Sequence, residues 1–173
     1  MSQLFDSVHP FIEPVGRLLL AAFLGSLLGL EREWHNRTAG LRTNTLIAVG
    51  SAIYTLLSLQ MVAPGGDATR IPSTVVNGIG FLGGGAILRT GGSVHGLTTA
   101  AAIWVNAAIG MAAGAGHFVL AISGTCTALL VLTVLKHVEI RMDRYRPAIF
   151  TDTGDMPVVT PTTRAPDRRE PPA

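Results

Sequence analysis

Residues 77–89 read NGIGFLGGGAILR, and Gly78, Gly80 and Gly83 stand at the G-x-G-x-x-G spacing that cradles a pyrophosphate. That chemistry needs a strand before the glycines, a helix opening at them and an acid about 20 residues later. Here residues 71–76 belong to the same apolar run, and no carboxylate follows until Glu139. The context excludes a dinucleotide site. A P-loop ATPase is excluded too, because it requires a lysine after a glycine-rich loop. The one lysine, Lys136, follows none.

Metal chemistry finds little support in the spacing. His9, His35, His95, His117 and His137 stand singly, without another His or Cys three or four residues away. Magnesium asks for carboxylates and retained waters, but the acids flank the apolar runs: Asp6, Glu13 and Asp67 on one side, Glu31 and Glu33 on the other. A cation carrier usually holds its site near the bilayer midplane, and no carboxylate falls there. Cys126, the single cysteine, excludes an intramolecular disulfide and reads as a small buried residue. No nucleophile stands beside a base in the sequence, so no enzyme, cofactor or metal site is expected.

The residues left with chemical potential are ionisable or amide groups in or beside apolar runs, where they are costly and functional by default. Arg17 sits one turn inside the first run. It serves either as an anchor snorkelling to the outer interface or as a buried guanidinium bonded to Asn77 at similar depth. Glu31, Arg32, Glu33 and Arg42 flank the first loop; Glu31 and Arg32 are expected to pair with Arg42, or the group is simply a solvated basic loop. Asn77 and Asn106 are amides inside apolar spans, suited to hydrogen bonding between helices.

The elements that position these groups follow from hydropathy. Only 14% of the 173 residues are charged, against about 25% in soluble domains, and the mean hydropathy is +0.43. This is the pattern of an all-α polytopic membrane protein. Five runs approach the ~20 residues needed to span a bilayer: about 15–30, 43–63, 71–88, 97–114 and 118–138. The chain therefore divides into an extracytoplasmic segment (1–14), a five-helix transmembrane domain (15–138) and a cytoplasmic tail (139–173). That tail is rich in Pro, Thr and mixed charge and is expected to be largely disordered. The N-terminal run lacks a basic leader and a small-residue cleavage site, and reads as a retained span.

Arg32, Arg37 and Arg42 in the first loop, Arg89 in the third and the basic cluster after the fifth run place the N-terminus outside and the C-terminus in the cytoplasm. The arginines beside apolar runs fit this pattern better than a nucleic-acid footprint.

Small and polar residues recur at helical spacing. Arg17, Ala21, Gly25 and Gly29 step by four, as do Ala102, Asn106, Gly110 and Gly114. Ser73, Asn77, Gly80 and Gly84 share a face in the third helix, opposite Val75, Ile79, Leu82 and Ala86; Ser51, Thr55 and Ser58 share one in the second. Such stripes let helices approach closely in lipid, and the four are expected to converge. An echo between Gly40-Leu41-Arg42-Thr43 and Gly96-Leu97-Thr98-Thr99, with Gly29 and Gly85 at the same offset, suggests two helical hairpins in parallel repeat.

GLEREWHNRTAGLRTNTLIAVGSAIYTLLS at 29–58 and NGIGFLGGGAILRTGGSVHGLTTAAAIWVNAAIGMAAGAG at 77–116 resemble the signature segments of the MgtC/SapB family, over about 17–135. The resemblance implies a five-helix protein of the bacterial inner membrane, linked to magnesium limitation and virulence. It implies restraint of the F-type ATP synthase in some members. Many members carry a further cytoplasmic domain; this chain has a short tail instead and resembles the SapB-like branch. The function implied is a small regulator that binds a membrane partner, with self-association as a further expectation. The alternative is a transporter or channel for magnesium or another small solute.

Overall fold

The computed structural model describes residues 2–63, 65–90 and 93–135, together with 138 and 141. The expected tail at 139–173 lies outside the described residues, apart from Arg141. Among the described residues there are five α-helices: α1 (Ser2–Trp34), α2 (Leu41–Met61), α3 (Arg70–Gly85), α4 (Leu97–Gly114) and α5 (Phe118–Leu130), which runs on as a π-helical turn, Val131–Leu135. The all-α, polytopic architecture expected from hydropathy is what the chain adopts.

The boundaries depart from expectation in two places. α1 runs straight through Pro14 instead of beginning after it. A proline inside a helix removes one N–H but keeps a helical φ, and the portion apolar enough to cross a membrane is Ile12–Trp34. α3 stops at Gly85, and the residues expected to complete a third span turn into a two-stranded hairpin, β1 (Leu88–Thr90) with β2 (Ser93–His95), Arg89 facing Val94 across it. The 16 residues of α3 measure about 24 Å at 1.5 Å each, short of the ~30 Å hydrocarbon core. Among the described residues, four helices are long and apolar enough to cross a bilayer: Ile12–Trp34, Leu41–Met61, Leu97–Gly114 and Phe118–Leu135.

α1, α2 and α4 pack together as the centre; α3 lies against α2 and α4, and α5 against α4 and α1. The central contacts are built on small residues. A Cβ placed at Gly25 would stand 2.6 Å from the Cβ of Ala48, and one at Gly29 2.7 Å from the Cα of Leu41, so α1 and α2 run antiparallel at near-backbone contact. A Cβ at Gly110 would collide with the carbonyl of Ala48, and one at Gly114 would lie 2.6 Å from that of Ala52, so α2 and α4 run parallel. Ala48 is thus held between two glycines of different helices. Without a hydrophobic driving force in lipid, such close van der Waals contact is what holds helices together.

Three of the four expected stripes converge: Ala21 of α1, Ser51, Thr55 and Ser58 of α2, and Asn106, Gly110 and Gly114 of α4 are all buried. The stripe on α3 does not. Ser73, Asn77, Gly80 and Gly84 are exposed, and a Cβ at Gly80 or Gly84 would meet nothing within 4 Å. α3 turns its other side inward, with Ile79 packed among Ile103 and Ala107, and Gly83 opposite Ala100. A helix on the rim has one inward face, and here the apolar side fills it.

The parallel course of α2 and α4 is the relation that two hairpins in parallel repeat require. The echo is partial in detail, since Gly29 is pressed against α2 while Gly85 has open space around it. Large apolar side chains such as Leu19, Phe23, Leu46, Phe81 and Val119 cover the outside. Cys126 lies on that outer surface and is exposed, contrary to the buried position expected, because α5 buries only Ala121 and Thr125.

Candidate functional site

The C-terminal turn of α1 carries Glu31-Arg32-Glu33, and successive residues on a helix point about 100° apart, so the three go to different partners. Arg32 is 4% exposed and turns to the first turn of α4, where its Nη2 donates to Thr99 Oγ1 at 2.8 Å. Thr38, in the α1–α2 turn, shares the same hydroxyl at 3.1 Å. Gly96, the N-cap of α4, is left-handed at φ +89°, and a Cβ there would collide with the carbonyl of Ala86, so α4 begins in close contact with the end of α3.

Arg32 Nε is buried with no acceptor. A cation at the positive end of a helix is disfavoured, and a buried charge without full hydrogen bonding is costly.

Glu31 pairs with His35, one turn on, Oε1 to Nδ1 at 2.9 Å, while its other oxygen is buried without a donor. Glu33 Oε2 accepts from the backbone N–H of Leu41 at 2.8 Å. The N-cap of α2 is Gly40, which has no side chain to cap with, so a carboxylate from the preceding helix takes that place. Arg42 is exposed. The expected pairing of Glu31 and Arg32 with Arg42 is therefore not what forms, since helix geometry aims Arg32 at α4 and Glu31 along its own helix.

Beneath this cluster lies an amide pair. Asn106 is fully buried, and its Nδ2 donates to the backbone oxygen of Asn44 at 2.6 Å and to Asn44 Oδ1 at 3.2 Å. Asn44 in turn donates to the carbonyls of Ala39 and Gly40, the latter at 3.1 Å, which ties the α1–α2 turn to the pair. The sequence reading singled out Asn106 for this role and missed Asn44. Asn44 lies four residues before Ala48 on the small-residue side of α2, and that spacing was the available signal.

Arg17 acts at the other end of the bundle. Its Nη1 donates to the carbonyl of Gly114 at 2.8 Å, and Nη2 pairs with Glu13. The guanidinium lies against Gly116 (φ +81°), where a Cβ would be 3.0 Å from Nη2. Helix C-termini leave carbonyls without partners and carry negative partial charge, so a cation there is well placed. The expected bond from Arg17 to Asn77 does not form: Asn77 faces outward from α3, whose inner side is apolar.

An open groove of about 1060 Å³ runs between α2 and α3, floored by Ile103 of α4 and mostly apolar. Arg42 lines one end of it. Among the described residues, no group of three or more His, Cys, Asp or Glu side chains is placed to hold a metal ion.

Residues 18–141 match the model of the MgtC family. Among curated proteins, the chain is 46% identical over 124 residues to the uncharacterised protein slr0014 of Synechocystis, covering 72% of this chain and 53% of that one. It is 43% identical over 127 residues to protein MgtC of Salmonella typhimurium, covering 73% and 54%. It is 44% identical over 133 residues, covering 73% and 62%, to YhiD of Escherichia coli K12, which is provisionally named a magnesium transporter. The chain thus spans little more than half the length of these relatives. No solved structure matches it.

Proposed function

This chain belongs to the MgtC family of membrane proteins, and from that premise we propose that it is a small membrane regulator acting on a membrane-protein partner under magnesium limitation. The observation that carries the reading is the use made of the polar groups of the central helices, of which Arg32, Asn44 and Asn106 are buried. Arg17, Arg32 and Asn106 each donate to a neighbouring helix, Asn44 accepts from Asn106, and Glu33 accepts from the first N–H of α2. They tie the bundle together, where a conducting path would turn such groups toward an aqueous lumen. The F-type ATP synthase is the partner that the family resemblance brings forward.

The same geometry supports an orientation. Arg32 lies in the last turn of α1, Arg37 in the α1–α2 connection, Arg42 in the first turn of α2 and Arg89 in the hairpin before α4; the Arg32–Thr99 bond brings the end of α1 to the start of α4, at one end of the bundle. Positive charge gathered there supports a cytoplasmic location for that end, with the N-terminus outside.

A second reading, magnesium transport, draws on the name of YhiD and on Glu31, whose buried oxygen has no donor. Magnesium uptake into liposomes containing the purified chain separates the two. The regulator reading expects uptake equal to empty liposomes, together with a membrane complex that co-purifies from native membranes. Uptake above that baseline, abolished by Glu31→Gln, overturns it in favour of transport.

A further inference from the structure

The α2–α3 groove has chemistry that the helix-tying network does not use. One wall is a face of α2 at four-residue spacing: Arg42, Leu46, Gly50 and Tyr54. The other is α3, with Gly78 and Leu82. A Cβ at Gly50 or Gly78 would meet nothing within 4 Å, so these glycines open volume where the other α2-facing glycines close it. No acidic side chain is among the described residues that line the groove. Its charge is confined to the end where α2 begins and α3 finishes. Arg42 stands there, and Arg89 follows three residues after Ala86, which lines the same end; both arginines are exposed.

We propose that this groove binds one anionic phospholipid, with the phosphate held by Arg42 and Arg89 and an acyl chain lying between α2 and α3. Two features select this occupant. α2 is long and apolar enough to span, and Arg42 is in its first turn, so the guanidinium stands at headgroup depth and the apolar walls at acyl depth. From Arg42 to Tyr54 the groove is about 18 Å long at 1.5 Å per residue. That is little more than one leaflet of a ~30 Å hydrocarbon core and too short to seat a spanning helix along its length. The inference stands apart from the regulator reading, because a regulator or a transporter could equally carry a bound lipid.

The test uses the full chain purified in a non-ionic detergent, with retained lipid measured by native mass spectrometry. Palmitoyl-oleoyl phosphatidylglycerol and phosphatidylcholine of the same chains are added at equal concentration. A surface arginine contributes ~1 kcal/mol toward anionic lipid, so the wild type should prefer phosphatidylglycerol, by about fivefold for each arginine engaged. Arg42→Gln with Arg89→Gln should bring the two lipids to equal retention. Gly50→Leu and Gly78→Leu, which fill open space, should lower retention of both in folded protein. A photoreactive residue at position 81, in intact membranes, should yield a lipid adduct. Equal retention by the wild type, unchanged binding in the filled-groove variants, or a polypeptide adduct at position 81 each overturns the proposal. The exposed arginine pair keeps the test decisive if a glycine variant fails to fold.

Discussion

Arg17 of α1 donates a 2.8 Å hydrogen bond to the carbonyl oxygen of Gly114, the last residue of α4. The bond joins residues 97 positions apart in the chain and gives a helix C-terminus the cation it favours. Hydrogen bonds to charged groups contribute about 1.5–3 kcal/mol. Arg17→Ala should therefore lower unfolding stability in detergent by an amount in that range, and Arg17→Lys by less. Thermal unfolding of the two variants checks this, and equal stability of Arg17→Ala and wild type would remove the assigned role.

The glycines fall into two classes that sequence spacing alone treats alike. Gly110→Ala should destabilise the bundle by about 1–3 kcal/mol, because its methyl has no room beside the Ala48 backbone. Gly84→Ala, with nothing within 4 Å, should be neutral or stabilising by up to about 1 kcal/mol through helix propensity. Parallel denaturation of the two variants decides the point; similar losses would mean that α3 packs through its glycine face after all.

Asn106→Leu removes both bonds to Asn44. Hydrogen bonds of this sort between membrane helices contribute about 0.6 kcal/mol on average and up to about 2, so a loss in that interval is expected. Asn106→Leu combined with Asn44→Ala should cost less than the sum of the single changes, because the two share an interaction. Strict additivity in that double-mutant cycle would show them to be uncoupled.

Asp67 precedes α3 and accepts from the hydroxyl of Thr69 at 2.6 Å and from its N–H at 2.8 Å. These bonds favour the carboxylate and hold its pKa below the usual value. A depressed pKa means stabilisation that is complete above the unfolded value of about 3.9 and lost as pH falls through the folded one. Protection of the Thr69 amide from hydrogen exchange should hold from neutral pH down to about 4 and decline only below it. In Asp67→Ala it should be low throughout. A midpoint at or above the ordinary carboxylate value would contradict the assignment.

Much of this protein was legible in its sequence. Low charge, long apolar runs and small residues at four-residue spacing led to a helical membrane bundle, and the stripes on α1, α2 and α4 proved to be the packed ones. Hydropathy and helical period are local properties, and a bilayer leaves the helix as the way for each such run to satisfy its own backbone.

Which face of a helix meets which neighbour is not local. The third stripe has the same spacing as the others, yet α3 turns it outward, because Ile79 and Gly83 fit against Ala100, Ile103 and Ala107. The partners of Arg32 and Glu33 were likewise settled by where α4 and the start of α2 come to lie, while Glu31 takes the local partner His35 one turn on, and Asn44 acquired its role only when Asn106 was brought beside it. The sequence determined which residues are small, polar or charged and that they would lie in helices. The tertiary structure decided their partners, because hydrogen-bond reach and backbone contact depend on the rotation and depth of each helix against the others, and no spacing within one helix sets those.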